Sequence, residues 1–163
     1  MSTLGWIHTI FGLVALLAGS AVLATRKGTR GHRTLGYLYL TSMLGLNGTA
    51  LCIYNLFGHF GPFHWLAASS LLTLLAGMVP VFTRRPRGRW LERHAIFLAI
   101  SYIGLVAAAA SEIVTRIPGL EASFGAAVGL TSALVIGVGM VLLARTLGRS
   151  MRRMPAHWQK GVD

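Results

Sequence analysis

The sequence predicts an all-α polytopic membrane protein with five transmembrane helices. The first four spans are expected to form an up-and-down four-helix bundle, with the fifth as a packing helix beside it. Three observations carry this. Hydrophobic residues fill 54% of the 163 positions and charged residues only 12%, against ~25% charged in a soluble domain. The apolar residues gather in runs of spanning length. The cations gather between those runs, on alternate connections.

The spans fall at about 4–25, 35–57, 62–83, 91–115 and 122–146. Each suffices to cross a hydrocarbon core ~30 Å thick at ~1.5 Å per residue. No basic segment precedes the first run and no small-residue cleavage site follows it, so it is expected to stay as a span. Arg26, Lys27, Arg30 and Arg33 separate the first two spans. Arg84, Arg85, Arg87, Arg89 and Arg93 separate the third and fourth. Arg145, Arg149, Arg152, Arg153 and Lys160 follow the fifth, and Arg116 alone lies at the opposite side. The positive-inside rule then puts the N-terminus outside and the C-terminus in the cytoplasm of a bacterial inner membrane. An odd number of spans agrees. Residues 1–146 form one domain, and 147–163 a basic cytoplasmic tail suited to an anionic lipid surface. Short connections make successive helices antiparallel neighbours.

The excess of fifteen basic over four acidic residues is a topology signal in this setting and does not point to nucleic acid. One cysteine, Cys52, lies inside an apolar run. It can form no internal disulfide and is expected to be a small packing residue. There is no phosphate-binding loop and no His-Glu-x-x-His pattern.

Histidines carry the functional lead. His8 and His64 fall near the outer ends of spans one and three, His32 and His94 at the inner ends of spans two and four. In an up-and-down bundle these spans are diagonal, so each pair can face itself across the interior. Two axial imidazoles can hold a b-type haem between them, and one or two such haems would carry electrons across or within the membrane. His8, Gly12, Ala15 and Gly19 share one stripe of span one, which leaves room for a flat macrocycle or for close helix packing. His32, Gly36, Tyr39, Met43 and Asn47 share a face of span two; His94, Ser101, Ala108 and Glu112 share one of span four. Arg33 and Arg93 beside the inner pair could neutralise haem propionates, and Tyr39 joins the cofactor-binding set. Glu112 is the one acid in the body of a span, since Glu92 falls at the start of span four. It is a group for proton transfer, a partner for Arg116 at i+4, or a third ligand with His8 and His64 for zinc or copper. Glu92 is expected to pair with Arg93. A membrane metal- or proton-transport protein, or a cofactor-free accessory subunit, is the alternative reading. Lipid is the certain partner. A quinone or redox protein would exchange electrons with the haems, and Gly125-x-x-x-Gly129 could serve a homodimer.

The pattern Arg26-Lys27-Gly28-x-x-x-His32-Arg33-x-x-Gly36-x-x-Tyr39-x-x-x-Met43, followed by Phe63-His64, Arg93-His94-x-x-Phe97, Ser101-Tyr102-x-Gly104-Leu105, Glu112 and Arg116, resembles a bacterial membrane family catalogued as domain of unknown function 2306. His8-x-x-x-Gly12-x-x-Ala15-x-x-x-Gly19 fits it as well. The resemblance covers nearly all of spans one to four and implies topology and residue choice, with no established reaction. The two diagonal histidine pairs are similar in architecture to two-haem cytochrome b membrane proteins. Unlike those, the inner histidines here sit at helix ends.

Overall fold

A computed structural model describes residues 2–54, 58–117 and 124–152. Phe57 at the expected end of span two, Ala122 at the expected start of span five, the connection around Glu121, and tail residues 153–163 lie outside the described residues. The chain is a polytopic all-α membrane protein, with no strand among the described residues. Its helices are α1 (Thr3–Ala24), α2 (Arg30–Leu51), α3 (Pro62–Thr83), α4 (Trp90–Val114) and α5 (Phe124–Arg152). Helices α1, α3, α4 and α5 are long and apolar enough to cross a bilayer. Helix α2 equals α1 in length, but its first turn carries Arg30, His32 and Arg33.

The helix ends follow from local chemistry. Ser2 caps α1 by accepting the Gly5 N–H at 3.2 Å. At the other end the Lys27 ammonium donates to the carbonyls of Val22 (2.8 Å) and Leu23 (2.9 Å), two groups left without a helical partner. Burial pushes that ammonium below the ordinary lysine pKa.

Span two begins earlier and ends sooner than 35–57. Thr29 accepts the His32 N–H at 3.2 Å and so starts α2 at Arg30, drawing half of the basic cluster into the helix. At its end the Cys52 N–H turns back to the Thr49 carbonyl at 3.0 Å, a tighter turn that stops the helix. Cys52 is exposed there, and is no core packing residue. Helix α5 runs on to Arg152, past the expected limit at Thr146, because the basic segment contains no breaker before Pro155. Between α3 and α4, Gly88 supplies the left-handed turn (φ 82°). The Arg84 guanidinium lies 4.4 Å from the Trp90 ring centroid. Glu92 pairs with Arg89 at 3.1 Å, not with Arg93, because three residues along a helix share a face and adjacent ones do not.

Hydroxyls within the spans bond back to their own helix. Thr9 donates to Gly5, Ser20 to Leu16, Thr41 to Tyr37 and Thr73 to Ser69, each within 3.0 Å. This is how polar side chains are satisfied without water.

The chain divides into two compact units, Met1–Leu74 and Leu75–Asp163, with the boundary inside α3. In the first, α1 and α2 form an antiparallel hairpin. A Cβ at Gly12 would lie 3.5 Å from Leu46, and one at Gly45 would lie 2.6 Å from the Phe11 ring, so each helix uses a missing side chain to bring the other near. Ala15, Ala18 and Gly19 are buried along the small-residue stripe. Tyr39, Ser42, Met43 and Asn47 are the buried residues of α2. In the second unit α4 meets α5, where Ile103 fills the space left by Gly139 and Ser111 bonds Ser132 at 3.0 Å. The buried residues of α4 are Ser101, Leu105, Ala107 and Ser111. Ala108 and Glu112 are exposed, so the stripe expected to run from His94 to Glu112 turns outward at its far end.

Candidate functional site

Each site histidine sits within the first two turns of its helix, and each is held differently. His8, in α1, places Nδ1 3.0 Å from Thr49 Oγ1 of α2. Thr49 directs its single hydroxyl hydrogen back to the carbonyls of Gly45 (2.8 Å) and Leu46 (2.9 Å). Its oxygen is therefore the acceptor, and His8 donates from Nδ1. The lone pair of the neutral ring then falls on Nε2.

His94, in α4, places Nδ1 3.0 Å from the Gly77 carbonyl of α3. A carbonyl only accepts, so Nδ1 carries the hydrogen and Nε2 again the lone pair. Two features of α3 allow this contact. Gly77 lacks the side chain that would collide with Leu98. Pro80, inside the helix, lacks an N–H, so the neighbouring Ala76 carbonyl has no i+4 donor and the backbone beside Gly77 is less tightly closed.

His64 is held in the opposite sense. It occupies the third position of α3, and its Nδ1 accepts the Gly61 backbone N–H at 3.1 Å. This is the reach of a capping-box side chain, with the helix started by Pro62. Nδ1 has no hydrogen, so the neutral ring carries it on Nε2. The ring lies against Tyr54 (centroids 4.5 Å apart) and Phe60 (4.8 Å), and the residue is 3% exposed. For Nε2 to ligate iron, the ring would have to give up the Gly61 contact.

His32 is partly buried, and its backbone N–H is the one bonded to the Thr29 cap. It belongs to the first unit and His94 to the second. Arg33 and Arg93 are exposed. Tyr39 is 3% exposed. Glu112 forms an exposed i,i+4 ion pair with Arg116. Among the described residues no three of His, Cys, Asp and Glu gather as metal ligands. His59 lies exposed in the loop before α3.

Thr49, Gly77, Gly61, Tyr54 and Phe60 escape a reading of the sequence alone. One signal does exist for the second site: Gly77, followed by Pro80, marks a stretch of an apolar span whose backbone a neighbour can approach closely. No comparable signal marks Thr49.

For the chemistry of these imidazoles, His8 and His94 have the arrangement found in ligating histidines. One ring nitrogen donates to a protein oxygen, which fixes the tautomer and ring orientation. No curated protein and no solved structure matches the chain. A family model described as a predicted membrane protein, DUF2306, matches residues 5–148. That span takes in α1 to α4 and most of α5, with all four site histidines and Glu112, and on this ground the chain belongs to the DUF2306 family of membrane proteins.

Proposed function

We propose that the protein is a membrane-embedded electron carrier of the b-type haem kind. Its basic connections and tail would face the cytoplasm of a bacterial inner membrane. One observation carries the reading. His8 and His94 each donate Nδ1–H to a fixed oxygen, which places the ring lone pair on Nε2, the tautomer an axial ligand requires. In a five-span topology the start of α1 and the start of α4 fall on opposite membrane faces, so the two imidazoles would serve opposite leaflets. A haem held there supplies a reversible one-electron couple. The chain's own part is to fix ring orientation through Thr49 and Gly77 and to exclude water with apolar helices. Arg33 and Arg93 suit propionate carboxylates, since arginine forks match them in geometry.

The deciding measurement is an absorption spectrum, oxidised and dithionite-reduced, of detergent-purified protein expressed with ample haem. A Soret band is expected, with sharpened α and β bands on reduction. It should weaken in His8→Ala and in His94→Ala while His64→Ala retains it. Absence of a Soret band overturns the proposal.

A further inference from the structure

The imidazole of His64 has a donor that no described residue receives. Its Nδ1 is committed to the Gly61 N–H. Its Nε2, buried, has no hydrogen-bond partner among the described residues. Buried polar groups are nearly always bonded, and one that is not calls for an explanation. The chemistry of the missing partner is narrow. An N–H accepts no cation, so the partner is a hydrogen-bond acceptor. The rings of Tyr54 and Phe60 lie against the imidazole, so the surroundings favour a flat, weakly polar molecule over a hydrated anion. Tyr54 and Phe60 are themselves 43% and 47% exposed. His64 is thus covered by side chains that reach the lipid or its interface. A ligand dissolved in the membrane meets these rings first.

We propose that His64, with Tyr54 and Phe60, binds the carbonyl-bearing ring of a lipid-soluble quinone, Nε2–H donating to the carbonyl oxygen and the aromatic rings stacking on the head group. The site does not depend on haem. It uses a histidine in the tautomer opposite to that of His8 and His94, and it can be tested on haem-free protein.

Trp65 supplies the signal. It lies edge-on to Phe60 with centroids 5.3 Å apart, and a quinone at His64 would quench its fluorescence. Full-length protein with Trp6, Trp90 and Trp158 replaced by phenylalanine is purified in detergent and titrated with decyl-ubiquinone. Saturable quenching is expected. Decylbenzene, equally apolar but without a carbonyl, should neither quench nor compete. His64→Leu should weaken binding at least tenfold. His64→Gln, whose amide can accept from Gly61 and still donate, should restore most of it. Phe60→Ala, which leaves the Gly61 contact alone, should weaken binding even if His64→Leu fails to fold. Linear quenching without saturation, equal quenching by His64→Leu, or competition by decylbenzene would each overturn the proposal. So would an absence of quenching, the result expected if water alone satisfies Nε2.

Discussion

A histidine in an apolar phase is defined by what holds its second nitrogen. Thr49 and Gly77 hold Nδ1 of His8 and His94, whereas Gly61 makes Nδ1 of His64 an acceptor. Thr49→Val keeps the shape of the side chain and removes its oxygen. Without that acceptor the His8 ring loses its reason to carry hydrogen on Nδ1. In protein with ¹⁵N-labelled histidine, the Nδ1–H tautomer signal of His8 should fall in Thr49→Val and remain in wild type. If the site holds haem, apparent affinity should drop by roughly 10- to 100-fold, the usual cost of losing such a support. An unchanged tautomer would remove Thr49 from the site. Gly77 admits a test of a different kind. A Cβ there would overlap the end of Leu98 and lie 3.2 Å from Phe97 Cβ, so Gly77→Ala should cost about 1–3 kcal/mol as overpacking. Gly104 on α4, exposed and with no described atom within 4 Å of a would-be Cβ, is the control. Gly104→Ala should be neutral or stabilising by less than ~1 kcal/mol. Thermal unfolding in detergent compares the two.

Between elements, small residues and a few hydroxyls do what apolar burial does in water. Lipid tails are as apolar as leucine, so helices associate through close packing and interhelical hydrogen bonds. Ser111 and Ser132 join α4 to α5 at 3.0 Å. A double-mutant cycle on Ser111→Ala and Ser132→Ala, followed by denaturation in mixed micelles, should give a coupling of about 0.6 kcal/mol. A coupling of zero would assign the α4–α5 contact to packing such as Ile103 on Gly139. At this scale the sequence was a good guide where hydropathy alone decides, as for α1, α3 and α4, whose limits fall within a residue of the apolar runs. It failed at α2, where one threonine oxygen at Thr29 starts a helix in basic sequence five residues before the run begins. The four site histidines were legible because polar groups stand out in apolar spans. Their tautomers were not, since these rest on contacts such as His8 with Thr49 and His94 with Gly77, 41 and 17 residues away along the chain. Periodicity carries no information about such contacts.

For the molecule as a whole, the question is which helices cross. If all five do, the connection holding Lys27 and the one holding Arg87 lie on the same face, and His59 lies on the other. If α2 rests at the surface, as its basic first turn would permit, the first two of these part company and Lys27 shares a face with His59. Charge argues for five. An arginine at mid-membrane costs about 2.5–3.5 kcal/mol, and α2 keeps Arg30 and Arg33 in its first turn, where they can reach an aqueous interface by snorkelling. Its Asn47, near the end of the helix, is buried and gives a hydrogen bond to the Met43 carbonyl at 2.8 Å, so this polar group finds a partner within the helix. Single cysteines at Lys27, His59 and Arg87, placed in a Cys52→Ser background, can be probed in intact cells with a membrane-impermeant maleimide. His59→Cys should react at once, while Lys27→Cys and Arg87→Cys should react only after permeabilisation. Reaction of Lys27→Cys together with His59→Cys would reduce the spans to four and put His32 and His94 on opposite faces of the membrane. In that event no haem could be shared between those two histidines, whatever the state of their rings.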